Sequence, residues 1–426
     1  MKMPKLHLTA VVLSAVLQFS CTDMFKLQND LDSINKIARS YSITISFDEA
    51  VAQSSRSPVI LISLQDKAEQ NIGTYRFIDQ QSRIEFNSGD NLHAFFAFAD
   101  LNQDFIYQKT EPFSLVKIQP ASLTEKHTQS QSTMKLSYSG QENGPVPDFL
   151  VGVHFSKFTQ IFGLHINVGT VTSIDSPLFT IEHGRTGMWE PFTFLKNGGF
   201  GVHMLQKYDP DKIPVLFVHG MGDGPLRFKP LINKLDTSKY QAWVYSYPTA
   251  YRLQNTASGL SALMKSLHYQ YRFTQLHIVA HSMGGLISKA YINECSAKED
   301  CSYLSSFTTI STPWLGHHGA QSGVTYSPVV MPSWIDMSPD SQFLADLFNQ
   351  PLTVNLQYNL LFTFKTGKKF SRESSDGVIS LHSQLRRQAQ NSAFKIKGYD
   401  QTHTSIFYSE IMSGDLFKLF TLSEQP

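Results

Sequence analysis

Cysteine is scarce in this chain, with three residues in 426: Cys21, Cys295 and Cys301. Without a second cysteine pair or a nearby histidine cluster, a thiolate metal site is not expected, and no metal is assigned. An excess of charge of one sign is also missing. Lys+Arg total 36 against Asp+Glu 35, a formal net charge of +1, so nothing points to nucleic acid or to an acidic partner. The apolar run Leu8–Leu17 falls short of the roughly 20 residues that span a bilayer. What is present is 41% hydrophobic and 12% aromatic residues, the composition of a globular protein with a sizeable core. The length leaves room for two or three domains.

The short apolar run has the form of an export signal, because Lys2 and Lys5 precede it. It closes on Leu17-Gln18-Phe19-Ser20-Cys21, which resembles a bacterial lipobox, although Gln18 stands where leucine is usual. Residues 1–21 therefore read as a lipoprotein-type signal peptide with Cys21 as the lipidated residue; ordinary secretion is the other reading. Either places the protein outside the cytoplasm, in the first case on the cell envelope. An oxidising compartment would favour a local disulfide between Cys295 and Cys301, which their spacing permits without proving.

Between Tyr41 and Val116, short alternating stretches such as Tyr41–Phe47 and continuous apolar ones such as Pro58–Leu64 are separated by polar turns. This is strand spacing and predicts a small β-sandwich-like domain over 22–121. Within it, Asp100, Asn102, Asp104 and Glu111 have the spacing of oxygen ligands in a calcium loop. Phe105 occupies the place that needs glycine, so a polar turn is the preferred reading. Residues 122–147 are polar and end in Gly144-Pro145-Val146-Pro147, which reads as a linker. A catalytic domain is expected over 148–426, with extra strands up to about Gln206. From Pro214 on, strand and helix alternate in the βαβ manner of a parallel sheet.

The organising stretch is His277-Ile278-Val279-Ala280-His281-Ser282-Met283-Gly284-Gly285. A β-branched run enters a serine, small residues stand two before and two after it (Ala280 and Gly284), and a helical pattern follows. This layout resembles the nucleophile elbow of α/β-hydrolases. A serine hydroxyl needs a base, and the base an orienting carboxylate. In such a fold they follow in the order serine, acid, histidine, each on a loop after a strand. Asp376 follows the strand Leu360–Phe364, and His403 follows the strand Ala393–Lys397. His281, His317, His318, His382, Asp336 and Asp340 fit those places less well.

An acyl-transfer intermediate also needs backbone N–H donors for its oxyanion. Met283, the residue after the nucleophile, supplies one candidate. Met221, in the turn His219-Gly220-Met221-Gly222-Asp223-Gly224 after the first core strand, supplies the other. The glycine spacing of this turn matches no nucleotide fingerprint.

Taken together, His219–Gly222, Ala280–Gly285, Asp376-Gly377-Val378, His403 and Ser311–His317 resemble a bacterial α/β-hydrolase of the lipase/esterase type, a family that includes deacylases of glycolipid anchors. The resemblance covers roughly 200–426. It implies a mostly parallel sheet with helices on both faces and ester hydrolysis without a cofactor. It also implies Ser282 as nucleophile, His403 as acid and base, and Asp376 as its orienter. Lipid or acyl esters are the implied substrates, and a lipid anchor would make the membrane a partner. An acyltransferase or specialised lipid deacylase with the same triad remains an alternative, and a surface-anchored binding protein is a further one. The long connection 322–359 carries apolar groups that suit either a lid or plain packing on the sheet.

Overall fold

Strand β1 (Arg39–Phe47) alternates side chains between two environments, and its buried Ile43 and Ile45 set the plan of the first unit. In the computed structural model the described residues are 21–37, 39–48, 57–65, 71–78, 83–88, 92–118, 130–137, 146–157, 160–161, 164–297, 301–352, 356–366 and 374–424. The segment before Cys21, expected to be an export signal, lies outside them. They divide into two compact units, one of Asp32–Val168 with Lys265–Gln270, the other of Met1–Leu31, Gly169–Met264 and Tyr271–Pro426.

The first unit holds β2 (Val59–Gln65), β3 (Asn71–Ile78), β4 (Arg83–Ser88), β5 (Leu92–Ala99), β6 (Phe113–Lys117) and β7 (Ser130–Leu136). They form a three-stranded sheet, β4-β1-β7, and a four-stranded sheet, β3-β2-β5-β6. Ile43, Ile45, Met134 and Leu136 from one sheet share a core with Val59, Leu61, Phe95 and Ala97 from the other, so two sheets face each other as in a sandwich. The linker expectation needs correcting here. Ser130–Leu136, inside the tract 122–147, is a strand paired in parallel with β1. Its polar residues alternate with Met134 and Leu136, and burial of that face outweighs the low apolar content. The unit accordingly runs to Val168 and does not stop at 121.

The acidic turn in this unit is closed on itself. Asp100 accepts the N–H groups of Asp104 and Phe105 at 3.1 and 2.9 Å, and Glu111 accepts those of Leu101 and Gln108 at 2.7 and 3.0 Å. Gln103 and Phe105 take positive φ to make this possible. The carboxylates thus serve the backbone, as turn-forming Asp does. Burial pushes the Glu111 carboxyl up to about 7.

The second unit is built on β10 (Asn167–Val171), β11 (Gly201–Met204), β12 (Ile213–Val218), β13 (Tyr240–Ser246), β14 (Leu276–His281), β15 (Leu304–Ile310), β16 (Gln357–Phe364) and β17 (Lys395–Asp400), numbered after a two-residue hairpin, β8 (Gln160–Ile161) and β9 (Leu164–His165). Their order is β10-β11-β13-β12-β14-β15-β16-β17. From β13 to β17 every pairing is parallel, and β11 runs antiparallel to its neighbour β13. The residues of β13 and β14 are all buried, as strands covered on both faces require.

The helices of this unit include α1 (Cys21–Ile37, as far as Leu31), α2 (Ile181–Trp189), α3 (Pro191–Lys196), α4 (Leu253–Tyr271, without Lys265–Gln270), α5 (Met283–Ala297), α6 (His318–Tyr326), α7 (Pro332–Met337), α8 (Gln342–Asp346) and α9 (Glu410–Ser423). Along β12, Val215 and Phe217 meet Met412, Leu416 and Phe420 of α9. Of the region expected to hold extra strands before Gln206, β8 to β11 are strands, but helices α2 and α3 stand between β10 and β11. Thr180 caps α2 through its side chain and Pro191 starts α3, two local signals for helix starts. Among the described residues, no helix is long and apolar enough to cross a membrane.

Candidate active site

Ser282 sits where β14 gives way to α5, with φ +53, a left-handed conformation that a serine adopts only under constraint. Its N–H donates to the Ile310 carbonyl at 2.9 Å, which locks the turn to the neighbouring strand. The small residue at 284 is sterically required, because a Cβ there would collide with the carbonyl oxygen of Val218. The first N–H groups of α5, beginning at Met283, have no acceptor inside the helix.

Across from the serine runs the turn after β12. A Cβ on Gly220 would come 3.0 Å from the Cβ of Ser282, so this backbone lies directly against that serine. Gly222 has φ +62, and its N–H donates to Thr249 Oγ1 at 3.2 Å. The ring of His219 stacks on Tyr247 at 4.2 Å, and the Tyr247 hydroxyl donates to the His219 carbonyl. His219 Nδ1 donates to the Gly220 carbonyl at 2.9 Å, while burial pushes this imidazole down to about 4. It is therefore neutral at physiological pH and holds the turn. Met221 lies between these two anchored glycines.

On the other side, Asp376 is almost fully buried and its carboxylate is saturated. Oδ1 accepts the N–H groups of Val378 and Ile379 at 2.9 and 2.8 Å. Oδ2 accepts from Thr363 Oγ1 at 2.7 Å, from His403 Nδ1 at 2.7 Å and from Gln384 Nε2 at 3.4 Å. Burial works to raise the carboxyl pKa, but the His403 bond and charge, with the Ile379 and Thr363 bonds, hold it below the ordinary value. The ring of His403 lies 4.5 Å from that of His281, whose Nε2 donates to the His403 carbonyl at 2.9 Å. Burial first, and the neighbouring His403 second, keep His281 well below its ordinary pKa, so it is neutral.

The chain therefore brings Asp376 and His403 into direct contact and sets them beside the residue that precedes Ser282. His403 bonds to Asp376 through Nδ1 and to His281 through its carbonyl, and no hydrogen bond joins it to the Ser282 hydroxyl. The competing residues stand elsewhere or do other work. Asp336 is buried, bonded to Arg252 at 2.6 Å and to the Leu253 N–H at 2.6 Å. His317 Nε2 donates to the Val378 carbonyl at 3.1 Å, and His382 is exposed. Thr363, Gln384 and Thr249 were not foreseen. Each acts across strands or loops distant in the chain, and no local pattern marks it.

The connection after β15 folds as α6, α7 and α8. Met331, Trp334, Leu344 and Leu347 are buried, and among its described large apolar groups Tyr326 and Ile335 are exposed. A groove of about 550 Å3 runs along the carboxyl half of α5, lined by Asn293, Glu294, Arg252, Asp336 and Asp346. None of Ser282, Asp376 or His403 lines it. Cys295 and Cys301 form a disulfide, with Cα atoms 5.6 Å apart.

No curated protein matches the chain. Among solved structures it is similar to a mature lipase of Bacillus licheniformis, with 17% identity over 50% of this chain and 94% of that one, TM-score 0.38. It is also similar to a gene product of Listeria innocua, with 14% identity over 51% and 96%, TM-score 0.36. Lipase B of Aspergillus fumigatus gives 14% identity over 50% and 54%, TM-score 0.38. Residues 249–407 match the model of a family described as an alpha/beta hydrolase of unknown function, and with its parallel sheet β13 to β17 and its strand–serine–helix turn the second unit of this chain has the α/β-hydrolase fold.

Proposed function

We propose that this protein is a serine carboxylic-ester hydrolase of the lipase/esterase type, with Ser282, Asp376 and His403 as its triad. The observation that carries the reading is the buried Asp376–His403 pair, bonded at 2.7 Å beside a serine held at positive φ. In the reaction, the Ser282 hydroxyl oxygen attacks the ester carbonyl and its proton passes to His403 Nε2. Asp376, bonded at Nδ1, fixes the tautomer and stabilises the imidazolium. The oxyanion is received by the N–H groups of Met283 and Met221. Collapse breaks the ester bond, and His403 returns its proton to the departing alcohol. Water then attacks the acyl-serine with His403 as base, which releases the acid and restores the serine.

Lipid or acyl esters are the proposed substrates, Cys21 the proposed site of lipidation, and the cell envelope the proposed location. The Cys295–Cys301 disulfide supports export, since such bonds persist in oxidising compartments.

The test is hydrolysis of p-nitrophenyl esters from short to long acyl chains, beside Ser282→Ala and His403→Ala, with fluorophosphonate labelling. Activity and labelling that vanish in Ser282→Ala support the reading. An unlabelled wild-type chain without esterase activity would sink it and leave a binding protein on a hydrolase scaffold.

A further inference from the structure

Helix α1 begins at Cys21, the residue read as carrying lipid, and it is not a loose tether. Leu27 is fully buried. Asp30 Oδ2 accepts the N–H groups of Phe192 and Thr193 at 2.6 and 2.9 Å, and Oδ1 accepts the Thr193 hydroxyl at 3.1 Å, so α1 caps the start of α3. Lys26 pairs with Glu190 at 2.8 Å. Met24 Sδ accepts from Ser327 Oγ at 3.8 Å, at the end of α6. Cys21 is thus three positions from a side chain that touches the end of α6.

Two large apolar side chains flank that contact and are left in solvent. Phe25, next to Met24, is 70% exposed, and Tyr326, next to Ser327, is 73% exposed. Helix α6 leads from there to the candidate triad. Its nine residues span about 13 Å, and at its start His317 bonds to Val378, two residues from Asp376. The end of α1 that carries Cys21 and the acid loop therefore lie at opposite ends of one short helix.

We propose that the surface marked by Phe25 and Tyr326 rests on the bilayer that holds the Cys21 lipid, which presents the triad to ester lipids of that same membrane. Aromatic side chains suit this role because they bury an apolar body at the headgroup boundary at small entropic cost. The proposal rests on the ester-hydrolase reading and on lipidation of Cys21, and each is tested by a separate readout.

The full exported chain, its acylation checked by the mass of its N-terminal peptide, is reconstituted into phosphatidylethanolamine/phosphatidylglycerol vesicles. An environment-sensitive fluorophore is placed at Phe25→Cys or at Thr237→Cys; Thr237 precedes β13, at the end of the sheet opposite Ser282. Brominated lipid tails should remove most of the emission from position 25 and leave position 237 unquenched. Phe25→Asp/Tyr326→Asp should hydrolyse vesicle ester lipid at least about tenfold more slowly, since excluding even one of the two large side chains from the interface is expected to cost that much, with p-nitrophenyl butyrate turnover unchanged. Equal quenching at the two positions, undiminished lipid hydrolysis by the double variant, or an unacylated Cys21 each overturns the proposal. A parent chain inactive on both substrates refutes the hydrolase reading, while the quenching pattern still decides the orientation.

Discussion

Asp376 and His403 are tied twice: His403 Nδ1 meets Asp376 Oδ2 at 2.7 Å, and the His403 backbone N–H donates to the Asp376 carbonyl at 3.1 Å. The second bond sets the backbone of the histidine loop, and the first sets the ring. Both donors of this histidine are thereby aligned by one residue 27 positions earlier in the chain.

Asp376→Asn should keep the fold and lose the tautomer control. Its amide can still occupy the site, but it no longer stabilises a charged imidazole. We expect kcat on p-nitrophenyl butyrate to fall about a thousandfold or more with KM little changed. Steady-state kinetics and far-UV circular dichroism check this; a variant within tenfold of wild type would remove Asp376 from the triad.

Thr363 acts one step further out. Its hydroxyl donates to Asp376 Oδ2 at 2.7 Å and is itself bonded to Ser311 Oγ at 2.6 Å. Thr363→Val keeps the shape and withdraws a donor from a buried carboxylate, so kcat should drop about tenfold. Because that donor helps hold the Asp376 carboxyl down, the acid limb of the pH–rate profile should also move upward. Thr363→Ser should restore both; a profile unmoved by Thr363→Val would reduce the residue to packing.

Two glycines make opposite predictions. An alanine Cβ at Gly284 would run into the Val218 carbonyl, so Gly284→Ala should destabilise by about 3 kcal/mol or more. Gly414 lies inside α9 with open space around it, and Gly414→Ala should stabilise by about 0.5–1 kcal/mol. Urea titrations of both variants measure the contrast, and equal effects would contradict it.

At the far end of the sheet, Glu424 accepts from Tyr240 at 2.7 Å and contacts His277 Nε2 at 3.2 Å. Burial works to raise its carboxyl, but bonds to His277, Lys239 and Tyr240 prevail and hold it at about 2, against an ordinary 4.5. A carboxyl depressed on folding stabilises fully above the unfolded pKa and loses that contribution as pH falls from about 4.5 to about 2. His277 is held below its ordinary 6.5 by burial, so stability also declines as pH drops below 6.5. Glu424→Gln should cost about 2 kcal/mol at pH 7, and the gap should close toward pH 2. A gap that persists there in denaturant melts would rule out the charge as its source.

The region around Ser282 was legible because its constraints are local. Ala280 and Gly284 flank a serine whose backbone must turn sharply, and the β-branched residues ahead of it favour a strand. Legibility failed where burial overrode composition, as in Ser130–Leu136. That strand looks like a linker until Met134 and Leu136 meet the opposite sheet. Helices α2 and α3 were missed because their cap signals lie among aromatic residues that also suit strands.

The sequence by itself determined the alternation of strands and helices from Pro214 on and the residue types that acyl chemistry would need, since periodicity, turn residues and chain order are properties of neighbours. Only the tertiary structure decided that Asp376 meets His403, that Thr363 and Gln384 hold the acid, and that α1 docks on α3 and α6. Those contacts depend on strand register and on which buried donors are left to be satisfied, and a linear pattern carries neither.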